Sequence, residues 1–131
     1  MYSVAFFQKK KKESISDSED NAIPFCTADT PNAPNVFPDG FIKSAHFKKG
    51  KNFVQVTGTI DSSKYVDSTD EGGQYDTNAP SHALCAWFKK FVNLVEPDNE
   101  HFCIRCCNDG VSCDVGRSTD GCESIIPGDY S

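Results

Sequence analysis

The chain is poor in the residues that build a bulk apolar core. It has one methionine, one tryptophan and two leucines in 131 residues. Hydrophobic residues make up 37 %, below the usual globular share, so a packed interior alone is a thin counterweight to chain entropy. No apolar run approaches the ~20 residues of a membrane-spanning helix. Excess positive charge is also missing: the formal net charge is −6. Phosphate recognition needs a dense cationic face, which argues against nucleic acid or an anionic membrane as the main partner. There is no internal repeat, no Asn-x-Ser/Thr acceptor and no Gly-x-Ser-x-Gly nucleophile elbow.

What the chain has instead is cysteine. Five of its seven cysteines fall in the last thirty residues, in Cys103-Ile104-Arg105-Cys106-Cys107, at Cys113 and at Cys122, with Cys85 just upstream. In a domain this size, cross-links are a common remedy for a thin core, and their density points to an oxidising compartment. Zinc is the competing use. The second pair, Cys113 and Cys122, is too widely split for a regular knuckle, although His101 lies near the cluster. Adjacent Cys106 and Cys107 would point to opposite sides of a strand and so reach different partners. The expectation is a disulfide net among Cys85, Cys103, Cys106, Cys107, Cys113 and Cys122, whose pairing spacing does not settle. Cys26 is the odd thiol, free or joining two chains. No metal and no cofactor is expected.

The first 22 residues read as a disordered or non-native tail, with Lys9-Lys10-Lys11-Lys12 followed by an acidic block from Glu13 to Asp20. A signal peptide would place its charge before an apolar segment, and here the order is reversed. An incomplete or re-engineered start is favoured over an unconventional export route or a reducing location. Residues 23–131 then form a single disulfide-rich β domain, entered through a proline-rich lead-in.

Two hairpins are expected. Phe41 to Phe47 and Phe53 to Ile60 flank a turn at Lys48-Lys49-Gly50-Lys51-Asn52. The alternation of Val54, Val56 and Ile60 against Gln55, Thr57 and Thr59 is a strand signal. Residues 84–96 fit a helical face or a buried strand, and strand is preferred for 88–96. Pro97-Asp98-Asn99-Glu100 is a turn into a returning strand. The fold class is mainly β: a small antiparallel sandwich or open barrel, with a disulfide-stapled irregular C-terminal segment closing one edge.

Between the hairpins lies a long acidic loop with no period. Its Asp67, Asp70, Glu71 and Asp76 surround Gly72-Gly73, and hard oxygens of this kind suit Ca²⁺, though not at EF-hand spacing. Tyr65 and Tyr75 are expected to be exposed there, where they could stack on a sugar or meet a protein. Tyr65, Asp70, Glu71, Tyr75 and Asp76 are therefore the candidate binding residues. No catalytic residue is assigned. An enzymatic alternative would join loop carboxylates to His82 or His101 in a cleft, with two carboxyls, or a carboxyl and an imidazole, within about 10 Å.

The segment from Phe41 to Ser131 resembles a group of small secreted cysteine-rich proteins of fungi and other eukaryotic microbes. The resemblance rests on Gly40-Phe41-Ile42, Val54 to Asp61, Gly72-Gly73-Gln74-Tyr75-Asp76, Val95-Glu96-Pro97, Cys103 to Cys107 and Asp120-Gly121-Cys122 with Ile126 to Tyr130. It implies export and a shared fold, and carries no activity with it. The expected role is a secreted, non-enzymatic module that binds an extracellular protein or glycan, or assembles with itself. The alternative is a small secreted hydrolase, with glycans as one class of substrate.

Overall fold

The computed structural model describes residues 5–7, 14–15, 23–25, 38–76, 90–109, 111–116 and 120–131. Among them are seven strands and one short helix. They are β1 (Ala5–Phe7), β2 (Ile23–Phe25), β3 (Ile42–Lys49), β4 (Phe53–Ile60), β5 (Gly73–Asp76), β6 (Lys90–Glu96), β7 (His101–Cys107) and α1 (Cys122–Ile125), with a 3₁₀ turn at Ser62–Lys64 after β4. β1 and β2 pair with each other, and the other five form an antiparallel sheet in the order β3-β4-β7-β6-β5.

The fold is mainly β, and both expected hairpins are present. They lie edge to edge through β4 and β7 in one open sheet instead of stacking face to face as a sandwich. The physical reason is the pattern of β4 and β7. Each carries apolar residues on one face and semi-polar residues or cysteines on the other, so both belong at the centre of a sheet covered on both sides.

On the inner face, Phe41, Ile60, Phe91, Val95, Phe102, Ile104 and Cys106 form a buried cluster with Val54 and Val56 at its margin. The opposite face presents Val92, Leu94, Cys103 and Cys107, and the C-terminal segment lies across it with Cys113, Cys122, Ile125 and Ile126. That segment was expected to close an edge. It caps a face instead, and β3 remains an edge strand.

Gly58 shows why a glycine sits in the middle of a central strand. The β3–β4 register shifts between Ile42 and Ser44. At that irregularity a Cβ on residue 58 would collide with the Ser44 carbonyl and press on the Phe102 ring.

The acidic loop is more ordered than its composition suggests. It contains the 3₁₀ turn and strand β5, which pairs with β6 from Gly73↔Val95 to Asp76↔Val92. The turn joining β6 to β7 is fastened to it: Ser62 Oγ donates to the Pro97 carbonyl (2.6 Å) and Ser62 N–H to Glu100 Oε2 (3.0 Å). Two parts of the segment read as a tail also make contacts. β1 pairs with β2, and Ile15 is fully buried in the inner-face cluster. The Ile15 N–H donates to Asp70 Oδ2 at 2.9 Å. Charge blocks conceal this single apolar residue, and the tail reading does not anticipate these contacts.

Candidate functional site

The tyrosine expectation is corrected. Tyr65 and Tyr75 were expected to be exposed, but Tyr65 is only 9 % exposed and Tyr75 fully buried. Tyr65 packs edge-on against Phe41, with ring centroids 5.9 Å apart. Tyr75 sits opposite Asn93 in the β5–β6 ladder, where alternation turns it into the core. A polar loop composition hid a strand whose inward positions are aromatic.

The loop carboxylates work as turn acceptors. Asp70 Oδ1 takes the Gly72 N–H (2.8 Å) while Oδ2 takes that of Ile15, so this side chain fastens two segments together. Asp67 Oδ1 accepts from both the N–H and the hydroxyl of Thr69. Glu71 is exposed. Asp76 ends β5, and its side chain lies outside the described residues, as do Cys26, His82, Cys85 and Trp87. Among the described residues, no group of three or more His, Cys, Asp or Glu side chains could hold a metal ion.

The polar chemistry instead gathers around the C-terminal cap. Two disulfides hold it: Cys103–Cys122, between β7 and α1, and Cys107–Cys113, between the end of β7 and the loop that follows. Cys106 is disulfide-bonded as well. It belongs to the inner-face cluster while Cys103 and Cys107 belong to the capped face, as strand alternation requires.

Beneath the cap, Arg105 is clamped. Its Nε and Nη2 donate to Gln55 Oε1 (3.1 and 2.8 Å), its Nη1 donates to the Ser112 carbonyl (3.0 Å), and its guanidinium lies 4.0 Å from the Phe53 ring centroid. Burial pulls its pKa down from the ordinary value. Gln55 completes the suture by donating to the Pro127 carbonyl (3.0 Å), and Thr57 Oγ1 donates to the Asp129 carbonyl (2.7 Å). Asp109 secures the loop below Cys107 by accepting the N–H groups of Val111 and Ser112, and its carboxyl lies below the ordinary range chiefly through the Ser112 N–H.

Two open grooves flank this cap. The first, about 460 Å³, runs between β3 and the strap 128–129 and is lined by His46, Phe47, Lys48, Thr57, Gly128 and Asp129. His46 Nδ1 lies 3.6 Å from Asp129 Oδ2, and Nε2 lies 3.2 Å from the Ser131 carbonyl oxygen. The Asp129 carboxyl is depressed mainly by the Ser131 hydroxyl, which donates to it at 2.6 Å, and further by the Ser131 N–H.

The second groove, about 340 Å³, joins Glu96, His101, Asp120 and Glu123. His101 Nδ1 is 3.8 Å from Glu123 Oε1, and its ring packs against Tyr130 with centroids 5.0 Å apart. Glu96 Oε1 accepts the Cys122 N–H at 3.0 Å, serving the start of α1 from a neighbouring strand. Gly121 has no side chain to do so, and a Cβ there would crowd the Glu96 carboxylate. Tyr130 donates its hydroxyl to the Ile126 carbonyl (2.8 Å). Burial first, then the charges of Glu96 and Glu123, raise its pKa far above the ordinary tyrosine value.

Sequence reading singles out His101, but not Glu96, Asp120 and Glu123 beside it, nor the separate pair of His46 and Asp129. Each set joins distant parts of the chain, and the sheet with its C-terminal cap brings each together in its own groove. Phe47 gave a signal that was readable: it precedes Lys48-Lys49 at a strand end, and it is 69 % exposed.

Among the described residues, no helix is long and apolar enough to cross a membrane. The disulfides fit an oxidising compartment. No family model and no solved structure matches the chain. It is 25 % identical over 139 aligned positions to the appressorium protein ROW1 of Mycosarcoma maydis, covering 89 % of this chain and 32 % of that protein. It is 29 % identical over 112 positions to the appressorium protein ROW2 of the same organism, covering 75 % of this chain and 38 % of that one. The chain spans about a third of the length of these curated relatives. The chain is thus distantly similar to fungal appressorium proteins.

Proposed function

We propose that this chain is an exported, non-enzymatic binding module. It acts at a cell surface or in an extracellular matrix, where it engages an extracellular protein or glycan or assembles with further copies. The covalent cap carries this reading. Cys103–Cys122 and Cys107–Cys113 hold an irregular segment on a small sheet, an arrangement that serves a protein working in an oxidising medium. The distant relatives named for the appressorium add support for a role at the fungal surface.

Three carboxylates are unsuited to a general acid's role. Asp61, Asp109 and Asp129 are held below the ordinary carboxylate value by hydrogen bonds from Ser63, Ser112 and Ser131, whereas a general acid needs the opposite shift.

The test is expression behind a secretory leader, with intact mass measured before and after reduction. Each bridge should add two hydrogens on reduction, and oxidised protein should accumulate in the medium. Fully reduced, monodisperse and equally heat-stable protein would refute the reading. The groove that joins His101 to Glu123 supports a hydrolase as a second reading. Turnover of cell-wall oligosaccharides that disappears in both His101→Ala and Glu123→Gln would establish it, and absence of turnover in the parent protein would remove it.

A further inference from the structure

We propose that the outer edge of β3 is a docking site for an extended polypeptide segment that combines acidic and apolar residues. The partner adds a strand to the sheet at this edge. The proposal rests on the binding-module reading above and names the surface and the partner chemistry.

Edge strands are normally guarded by being short, by cover, by bulges or by charged side chains such as lysine, because their unpaired backbone groups invite another chain. The lysines of β3 guard it against like-charged strands but not against an acidic one. β3 is eight residues long, and among the described residues no strand pairs with its outer edge. β5, at the other edge, has four residues. The edge is also chemically unlike the rest of the molecule. The chain carries a formal charge of −6, yet β3 holds Lys43, Lys48 and Lys49 and no acidic residue, with Lys51 following in the turn.

Its two faces differ in kind. Opposite Thr57 and Gln55, on the capped side, stand His46 and Lys48, and the 460 Å³ groove opens beside them. Asp129, on the far wall of that groove, is already engaged by His46 and Ser131. Opposite Gly58, Val56 and Val54, on the inner side, stand Ala45, the exposed Phe47 and Lys49. A strand laid along β3 presents successive side chains to alternate sides. A carboxylate on the groove side would meet Lys48, and on the other side an apolar side chain would cover Phe47 next to Lys49. Main-chain bonds supply affinity in this mode, and alternate side-chain positions supply selectivity.

The same lysines disfavour a second copy at this edge. Two β3 strands paired about a two-fold axis over their full length bring Lys43 opposite Lys48, and a shift of one brings it opposite Lys49. Like charges directly opposite are destabilising.

The experiment uses the full oxidised chain, ¹⁵N-labelled, with a fluorescein-tagged octapeptide of alternating Glu and Val. A Lys-Val octapeptide and polygalacturonate serve as controls. The Glu-Val peptide is expected to bind, to shift amide resonances within 42–49 and at 128–129, and to weaken as salt is raised. The Lys-Val peptide should leave those resonances in place. The Lys43→Glu/Lys48→Glu/Lys49→Glu variant should lose about tenfold or more in affinity for Glu-Val, as expected for close charge pairs, and gain affinity for Lys-Val. Phe47→Ser, which keeps every charge, should weaken binding by a smaller factor, so the result does not depend on the triple variant folding.

Shifts mapping elsewhere, equal binding of both peptides, polygalacturonate binding at β3 as tightly as the peptide, or sedimentation of the parent chain as a β3-mediated dimer would each overturn the proposal. Such a failure leaves the exported-module reading intact as long as the chain is secreted in oxidised form. A reduced, intracellular product would overturn that reading independently of the peptide result.

Discussion

Removing the Cys103–Cys122 bridge is the sharpest probe of how this domain is held together. The bridge spans 19 residues of sequence. In the chain-entropy model a loop of that size is worth about 3 kcal/mol, against about 2 kcal/mol for the six-residue separation of Cys107–Cys113. Cys103 and Cys122 are both fully buried beside Leu94, Ile125 and Ile126, so a Cys103→Ala/Cys122→Ala variant also leaves a void of the same unfavourable sign. A chain of this length loses about 3–4 °C of Tm per kcal/mol, which gives a drop of roughly 10 °C for this pair and a smaller one for Cys107→Ala/Cys113→Ala.

Far-UV circular dichroism during heating reads the midpoint, and hydrogen exchange locates the loss. Amides of 120–126 should lose protection first, while those of β4 and β7, at the centre of the sheet, keep theirs. A double variant melting within about 2 °C of the parent would show that packing, not the covalent tie, holds the cap, and the reasoning would fail.

Arg105→Ala should cost about 2–3 kcal/mol by urea denaturation, since it leaves the Gln55 amide, 2 % exposed, without its charged donor and uncovers the Phe53 ring. Arg105→Lys should recover only part of this, because an ammonium lacks the planar fork. Ile15→Ala should cost about 2–4 kcal/mol in the same assay, as for other buried aliphatic truncations; a loss of a few tenths would return the segment around it to the status of a tail.

In acid, the depressed carboxyls of Asp61, Asp109 and Asp129 contribute stability that is present above their ordinary value of 3.8 and is lost as pH falls through their lower folded values. The urea midpoint should therefore decline below about pH 4, and a midpoint unchanged down to pH 2 would refute the assignment. In alkali the sign reverses. Tyr130 is raised in the fold, so stability should fall as pH climbs above the ordinary tyrosine value of 10.0, and phenolate absorbance should show one tyrosine ionising only as the cap opens.

Local chemistry was enough to predict both hairpins, the turn at 97–100 and the opposed directions of Cys106 and Cys107. Period-two alternation with β-branched residues states strand and face at once, and neighbouring residues in a strand must diverge. The preference for strand over helix in 88–96 agrees, over the described residues 90–96, with β6, whose residues 91–95 are all buried as in a central strand. Side-chain exposure in the acidic loop was not readable in this way. Tyr75 is buried because β5 pairs with β6, a contact across the gap from residue 76 to residue 90 that no local pattern announces.

By itself, then, the sequence determined the long strands β3, β4, β6 and β7 and the faces of β4 and β7, because these follow from residue chemistry within a few positions. Tertiary structure alone decided that the hairpins join as one sheet, that the C-terminal segment covers a face, and that the lysine-rich strand stands at the sheet's edge among the described residues. It also decided that His46 meets Asp129 and that His101 meets Glu123. Each of these depends on which backbone groups pair across long separations, and loop-closure entropy and competing registers make that choice a property of the whole chain.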